Sequence, residues 1–284
     1  NIALIRKKNY NSVKTMGNNK VFDCITFFDE NLIVNTRFEI LDKVVDYFIV
    51  CESAFEHKGK KKKINFKIKN EKFKKKIRHI IIEENFPNLN DGWAIESYQR
   101  EKIMQGLKDA SDNDLIMYSD SDEIPNPKII ENLSLSKKYG IFMQKFFTYK
   151  INIFNKYESP WEGTRICKKK HLKNFTHLRK KIISKNLKKS FIKIFVEKNI
   201  ELLDDGGWHF NNLYTPDVLS KKLKTFQHTE FNDDKYSNIE TIRSKILNLE
   251  DLFERNHKYS RIDIDDSYPS FIKLNLNLFK DFIH

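Results

Sequence analysis

Cysteine, proline and glycine are scarce in this 284-residue sequence, which has three, six and eight of them. The cysteines, Cys24, Cys51 and Cys167, are odd in number and widely spaced. They therefore favour buried thiols in a reducing compartment over a disulfide framework or a zinc site. Few glycines and prolines, together with 13% aromatic residues, argue against a disordered or fibrous chain.

Long apolar runs are also missing. No stretch reaches the length of about 18 apolar residues that a membrane-spanning helix needs, and no secretory signal pattern is visible. We therefore predict a cytoplasmic protein without a transmembrane segment. Because the chain begins at Asn1 and not at Met, an N-terminal anchor ahead of it stays open.

The charge is one-sided, with a net charge of +13 that is carried mostly by lysine. Lysines cluster in residues 57–63, 73–78 and 168–173. Such clusters suit nucleic acid or an anionic surface. A lysine-biased composition on solvated loops gives the same pattern, and it is favoured because no nucleic-acid motif accompanies the charge and arginine is sparse. We expect no nucleic-acid partner, and peripheral membrane contact through the lysine-rich surface stays open.

Alternating strand and helix patterns predict the fold. Strands are predicted over 21–28, 45–53, 77–84 and 114–120, and helices over about 34–45 and 91–109. This order predicts an α/β fold with a Rossmann-type, mostly parallel central sheet flanked by helices. Further strands are predicted within 139–154, followed by a helical C-terminal part.

Domain organisation follows from the length and from these patterns. We predict a basic N-terminal arm over residues 1–20 and a single domain over 21–284. Its nucleotide-binding half would cover about 21–135, and its acceptor half about 136–284.

The motif Asp120-Ser121-Asp122 directly follows an apolar strand, where ligands of parallel sheets bind. Its carboxylates are oxygen ligands suited to Mg²⁺ or Mn²⁺. A haloacid-dehalogenase-type phosphatase would use the first Asp as a nucleophile, but its strand usually lies near the N-terminus, with Thr or Val after the second Asp. Here Glu123 follows and the strand lies mid-chain. A GT-A glycosyltransferase, which holds an ion on a sugar-nucleotide diphosphate, fits better, and a non-catalytic basic binding protein is the alternative from another class.

The helix predicted from Asp91 supports a nucleotide site. Trp93, Glu96 and Arg100 fall on one stripe of that helix, because they are spaced by three and four residues. Arg100 could bind a phosphate as a planar fork of donors. The alternative is a plain Glu96–Arg100 ion pair on the helix surface.

A second candidate lies in the stretch GGWHF, residues 206–210. Gly206 and Gly207 would permit close approach of this segment to another backbone. His209 would then be an extra metal ligand beside the acidic motif, and Trp208 would be a wall of the sugar pocket. Most lone histidines of this kind are structural.

Four blocks of the sequence together resemble glycosyltransferase family 17. They are VVDYFIVCES (44–53), DGWAIESYQR (91–100), DLIMYSDSDEIP (114–125) and GGWHFNNLYTPD (206–217). Each block alone is unspecific, and weaker similarity extends the match over roughly residues 21–282. The lysine-rich segment 57–76 departs from the family pattern, as does the missing membrane anchor of the animal enzymes.

The resemblance implies a GT-A-like fold and transfer of N-acetylglucosamine from UDP-GlcNAc to a hydroxyl of a glycan or glycoconjugate acceptor. It further implies Mn²⁺ (or Mg²⁺) and inversion to a β-linkage. Inversion requires a carboxylate as general base on the acceptor hydroxyl. The candidates are Glu230 and, as a second choice, Glu162.

The resemblance also implies site residues, position by position. The metal would be held by Asp120, Asp122 and His209, with Asp120 also serving the ribose. The nucleotide-sugar site would comprise Glu52, Asp91, Trp93, Arg100, Asp120 and Trp208.

Overall fold

The computed structural model describes residues 19–88, 91–190, 192–193, 195–225 and 234–284. The strands are β1 (Val21–Phe27), β2 (Tyr47–Ser53), β3 (Ile77–Ile82), β4 (Leu115–Ser119), β5 (Glu123–Pro125), β6 (Tyr139–Thr148), β7 (Ile153–Phe154), β8 (Trp161–Lys168), β9 (Ile200–Leu203), β10 (Gly207–Asn211) and β11 (Ser260–Arg261). The helices are α1 (Asn31–Leu41), α2 (Gly92–Lys102), α3 (Pro127–Glu131), α4 (Phe175–Lys180), α5 (Pro216–Thr225), α6 (Asp234–Ser237), α7 (Ile239–Leu247) and α8 (Ser270–Leu274). Short 3₁₀ helices include Ile103–Leu107 and Ser184–Lys188.

Within the described ranges, eleven strands form one sheet. Strands β3, β2, β1 and β4 lie side by side and pair in parallel, as the sequence predicts for the first half. Beyond β4 the sheet continues through β8 to β6 with antiparallel pairing. The predicted α/β class with a helix-flanked central sheet is therefore confirmed. Strands β6 and β7 lie within the predicted range 139–154, and the described part of the chain after β10 carries helices α5 to α8, as predicted for a helical C-terminal part.

Alternation along the strands builds a core on each face of the sheet. Val21, Ile25 and Phe27 of β1 pack on the face that α1 covers. Phe22 and Cys24 point the other way, into a cluster that includes the 3₁₀ helix after α2 and helix α4. A third, smaller cluster lies around α5 and α7. The sheet is thus covered on both faces, so its carboxyl edge is the part left for a ligand.

The cysteines behave as the sequence predicts. Cys24, Cys51 and Cys167 are all free and buried. Burial raises the pKa of each thiol, to about 12 for Cys51 and Cys167. Their role is therefore packing. In the part of the chain that the structure describes, no helix is both long and apolar enough to cross a membrane.

Candidate active site

A cleft of about 1390 Å³ opens at the carboxyl edge of β1 and β4. Its walls are the loop after β1, the motif after β4, one face of α2, the start of β8, the end of α4 and part of α5. Residues lining it include Trp93, Glu96, Arg100, Asp120, Trp161, Glu162, Arg165, Arg179 and Lys185.

The acidic motif is held together by an arginine. The guanidinium of Arg179 on α4 forms ion pairs with Asp120 and with Glu123, the latter at 2.7 Å. Glu123 is fully buried and also accepts a hydrogen bond from the Trp161 indole at 2.7 Å. Burial opposes the charged form of Glu123, but the charges of Arg179, His209 and Arg165 and the hydrogen bond from Arg179 together hold the pKa of Glu123 below its usual range. The three carboxylates can therefore gather because a fixed cation lies between two of them.

A buried network fixes the motif from below. Arg37 on α1 pairs with Asp23 on β1 at 2.6 Å and donates to the Ser119 hydroxyl at 2.8 Å. It also donates to the Glu123 carbonyl. Ser119 in turn shares a hydrogen bond of 2.7 Å with Thr164 on β8. Because every member is partnered, the motif is mounted on a rigid base.

His209 lies beside Asp122 although 87 residues separate them in sequence. Strand β10 is inserted between β5 and β6, which places His209 opposite Glu123 on one side and Phe146 on the other. The His209 Nε2 atom is 3.3 Å from the Asp122 Oδ1 atom. Burial alone would lower the pKa of His209, but Asp122 raises it through its charge and a hydrogen bond.

The two glycines before His209 make this insertion sterically feasible. A Cβ atom on Gly207 would come within 2.2 Å of the Ile124 carbonyl oxygen, and its φ of +123° disfavours any other residue. A Cβ atom on Gly206 would lie 2.4 Å from the Met143 backbone nitrogen. The close approach that the sequence predicts for these glycines is therefore confirmed.

Trp208 is not brought to the cleft. Successive residues of a strand point to opposite faces of the sheet, so the side chains of Trp208 and His209 lie on different faces. Trp208 packs in the core with Phe147 and Phe210, and its indole donates to the Ser267 carbonyl at 3.0 Å. Its predicted contact with the sugar nucleotide has no support in this placement. The tryptophans at the cleft are Trp93, which is 61% exposed, and Trp161.

Arg100 lies at the cleft and is buried. Its side chain is 5% exposed, and its Nε atom donates to the Tyr118 hydroxyl at 2.9 Å. Glu96 is 3.5 Å away, so the ion pair on α2 exists but does not define the environment of Arg100. The Nη1 atom of Arg100 is buried without a hydrogen-bond partner. An unpaired guanidinium nitrogen in a cleft favours an anionic ligand over a purely structural role.

Two further residues predicted for the nucleotide site serve the protein framework. Glu52 is fully buried, and its carboxylate accepts from the Lys62 ammonium at 2.7 Å and from the Asn65 backbone at 2.6 Å. Asp91 caps α2 by accepting from the Trp93 backbone at 2.9 Å. Neither is among the residues lining the cleft. Direct contact of Glu52 or Asp91 with a nucleotide stays a prediction.

The structure describes only one of the two candidates for the catalytic base. Glu162 lines the cleft, but its Oε2 atom accepts from the Ser184 backbone at 3.0 Å and its Oε1 atom from the Ser184 hydroxyl. Glu230 lies outside the described residues. The assignment of the catalytic base between them stays a prediction.

Sequence reasoning missed Arg179 and Arg165. Arg165 is 4% exposed, and burial and the nearby Arg179 lower its pKa to about 10. Arg165 donates to the Glu162 and Gly163 carbonyls, so it holds the start of β8 at the cleft, as Arg179 holds the acidic motif. The sequence did contain a signal for them. The positive charge of this chain is mostly lysine, so an arginine at these positions indicates a site that requires the planar guanidinium group.

The side chains around Asp122 can be compared with the ligands that a divalent metal ion requires. In the described part of the chain, no group of three or more His, Cys, Asp and Glu side chains is arranged to enclose a metal. Asp122 and His209 nevertheless offer one carboxylate and one imidazole nitrogen 3.3 Å apart. Such a pair fits ions that are held by one or two protein ligands plus substrate phosphates. Asp120, being paired with Arg179, is less available than predicted.

Comparison with known proteins identifies the family of the chain. The family model of glycosyltransferase family 17 matches residues 6–264. The β-1,4-mannosyl-glycoprotein 4-β-N-acetylglucosaminyltransferases of Rattus norvegicus and Homo sapiens are each 32% identical over 117 residues, covering 37% of this chain and 22% of theirs. The chain thus spans about a fifth of the length of these curated relatives.

Solved structures show only distant likeness. Glucosyl-3-phosphoglycerate synthase from Mycobacterium tuberculosis has a TM-score of 0.38 at 10% identity, covering 90% of this chain and 92% of that one. A glycosyltransferase involved in glycosylating the major capsid of PBCV-1 has a TM-score of 0.32 at 12% identity, covering 66% and 82%. Likeness at this level supports no inference about substrate. The family match, which covers most of the sequence, does decide the family: the chain belongs to glycosyltransferase family 17.

Proposed function

We propose that the protein is a metal-dependent inverting glycosyltransferase that moves N-acetylglucosamine from UDP-GlcNAc to a hydroxyl of a glycan. The observation that carries this proposal is the pairing of Asp122 with His209 at 3.3 Å beside Asp120, at the edge of a sheet where ligands bind. Family membership favours it over a phosphatase or a non-catalytic basic protein. The donor sugar follows from the names of the relatives and is part of the proposal.

Each residue of the site has its own proposed role. Asp122 and His209 would hold Mn²⁺ or Mg²⁺, which when bound supplies positive charge to the diphosphate leaving group. Arg100, with its unpaired Nη1 atom, would bind the diphosphate or the ribose from the α2 side. Arg179 would keep Asp120 in place. A carboxylate on the acceptor side, Glu230 or Glu162, would accept the proton of the attacking hydroxyl.

Ligand-dependent thermal stability tests the donor. We expect UDP-GlcNAc with Mn²⁺ to raise the Tm by about 5 °C at a concentration of 100 Kd, because a ligand that binds only the native state stabilises it. UDP-glucose and GDP-mannose serve as comparisons in the same assay. A Tm shift with GDP-mannose alone would change the assigned donor from UDP-GlcNAc to GDP-mannose. If none of the sugar nucleotides shifted the Tm, the proposal would be contradicted.

Arg100→Lys should weaken UDP-GlcNAc binding by about 10-fold or more, because a point charge replaces a buried planar fork. Isothermal titration measures this directly. Arg243→Lys is a matched control, since Arg243 is 57% exposed and pairs with Glu240 on the surface of α7. Equal affinities of the two variants would indicate that Arg100 merely pairs with Glu96.

Metal affinity should fall as the pH is lowered. Asp122 raises the pKa of His209, so a proton occupies the imidazole up to a higher pH than usual. An ion that binds Nε2 must displace that proton, and the apparent Mn²⁺ affinity therefore drops below the raised pKa. Titration of Mn²⁺ at about pH 6 and about pH 8, in the presence of UDP, measures the drop. His209→Asn should bind more weakly and lose most of this pH dependence; an unchanged profile in that variant would exclude His209 as a ligand.

A further inference from the structure

Residues 184–190, 192–193 and 195–198, here called the basic projection, include large apolar side chains that are exposed to solvent. The side chain of Ile192 is 88% exposed and that of Phe195 is 97% exposed. In the described part of the chain they are the two most exposed large hydrophobic residues, and Leu187 is 40% exposed nearby. Such exposure costs solubility and gains no packing, so a surface of this kind indicates a binding site.

Positive charge surrounds these apolar residues. The projection contains five lysines and one acidic residue, Glu197. The lysines are Lys185, Lys188, Lys189, Lys193 and Lys198. Those at 185, 188 and 193 are exposed. Apolar side chains flanked by lysines match the boundary between acyl chains and anionic headgroups.

The base of the projection is anchored at the cleft. Ser184 donates from its backbone to the Glu162 carboxylate at 3.0 Å, and Asn186 is 4% exposed and donates to the Lys181 carbonyl at 2.6 Å. Ile183 and Lys185 line the cleft itself. A surface that binds this projection would therefore lie at the rim of the proposed active site.

The other lysine-rich segment, 57–76, has a different character. Lys62 pairs with the buried Glu52, and Lys72 pairs with Glu39 at 2.7 Å. Phe73 lies within the core and Phe66 packs against it. Because its aromatic residues are packed and several of its lysines are paired, this segment covers α1 and serves as an internal comparison.

We propose that the basic projection docks the protein on an anionic lipid surface, with Ile192 and Phe195 entering the interfacial region. A few exposed apolar side chains among lysines suit shallow insertion into a bilayer, whereas a stable protein interface needs a complementary patch of about 1,000 Å² or more. Docking at the rim of the cleft would present it to acceptors displayed on the membrane. The presentation to acceptors rests on the proposed transferase function, whereas the docking itself does not.

Vesicle binding without donor or metal tests the docking independently of catalysis. We expect the full chain to co-sediment with vesicles of phosphatidylcholine containing about one-third phosphatidylglycerol, and much less with phosphatidylcholine alone. The double variant Ile192→Ser/Phe195→Ser should bind the anionic vesicles more than about tenfold more weakly. Lys188→Gln/Lys193→Gln should lose about fivefold for each lysine, and added salt should mimic this loss.

Two controls separate docking from general stickiness. Leu274→Ser removes another exposed apolar side chain, 83% exposed on α8, and should leave vesicle binding unchanged. Lys74→Gln/Lys75→Gln alters the comparison segment and should also leave it unchanged. Equal binding to neutral and anionic vesicles, or full binding by the Ile192→Ser/Phe195→Ser variant, would overturn the proposal. So would a change in that variant's oligomeric mass without a change in vesicle binding, because the projection would then be a contact between copies of the chain.

Discussion

Asp122→Asn should reduce transfer by about 10²–10³-fold, the scale on which a single electrostatic contact to a developing charge acts. The substitution keeps the size of the side chain and removes its negative charge. In the proposed site His209 is the second ligand among the described residues, so the ion would lose the stronger of these two contacts. Mn²⁺-dependent binding of UDP should weaken in parallel, and titration of UDP with and without Mn²⁺ measures that.

The fold should tolerate this change. Asp122 is 22% exposed, and its backbone carbonyl, which accepts from the Phe210 amide at 2.9 Å, is unaffected. Asp266→Asn is the matched control, since its side chain is fully exposed next to Lys273. If Asp122→Asn turns over at the rate of Asp266→Asn, the metal site is not at Asp122.

The strands were predictable because their cause is local. Apolar runs such as Leu115 to Tyr118 can be buried only as strands or helices, and their length and the flanking turn residues decide between them. The helix from Asp91 was placed correctly at its start, where Asp91 caps it, but it ends at Lys102 rather than near 109. The remaining turns continue as a 3₁₀ helix, a distinction that periodicity does not make.

The site was less predictable because its causes are long-range. His209 meets Asp122 through the insertion of β10 between β5 and β6, which no local pattern contains. The prediction rested on the two glycines before His209 and on the family resemblance. Trp208 was predicted as a wall of the sugar pocket, although strand alternation places it in the core. The partner of Asp120 is Arg179, 59 residues away in a run of basic residues. Spacing does not select it from that run, and the only local signal is that it is an arginine among lysines.

The strongest effect on stability should come from Arg179. Arg179→Met should lower the free energy of unfolding by about 3–5 kcal/mol, because removing one partner of a buried ion pair leaves an uncompensated charge. Glu123 is fully buried, and Arg179 is its cationic ion-pair partner. Urea unfolding followed by circular dichroism measures the loss. Arg243→Met, on the exposed face of α7, should change stability by no more than about 0.5 kcal/mol.

A second substitution identifies the cause of that loss. If the unpaired carboxylate of Glu123 is responsible, Arg179→Met/Glu123→Gln should be more stable than Arg179→Met alone, since the amide is neutral and can still accept the hydrogen bond from Trp161. The rescued variant should nevertheless remain inactive, because Asp120 would have lost the guanidinium that orients it. A double variant as unstable as the single one would instead place the cost in lost packing around α4. Recovery of both stability and transfer would show that Arg179 holds the fold and contributes nothing to the site.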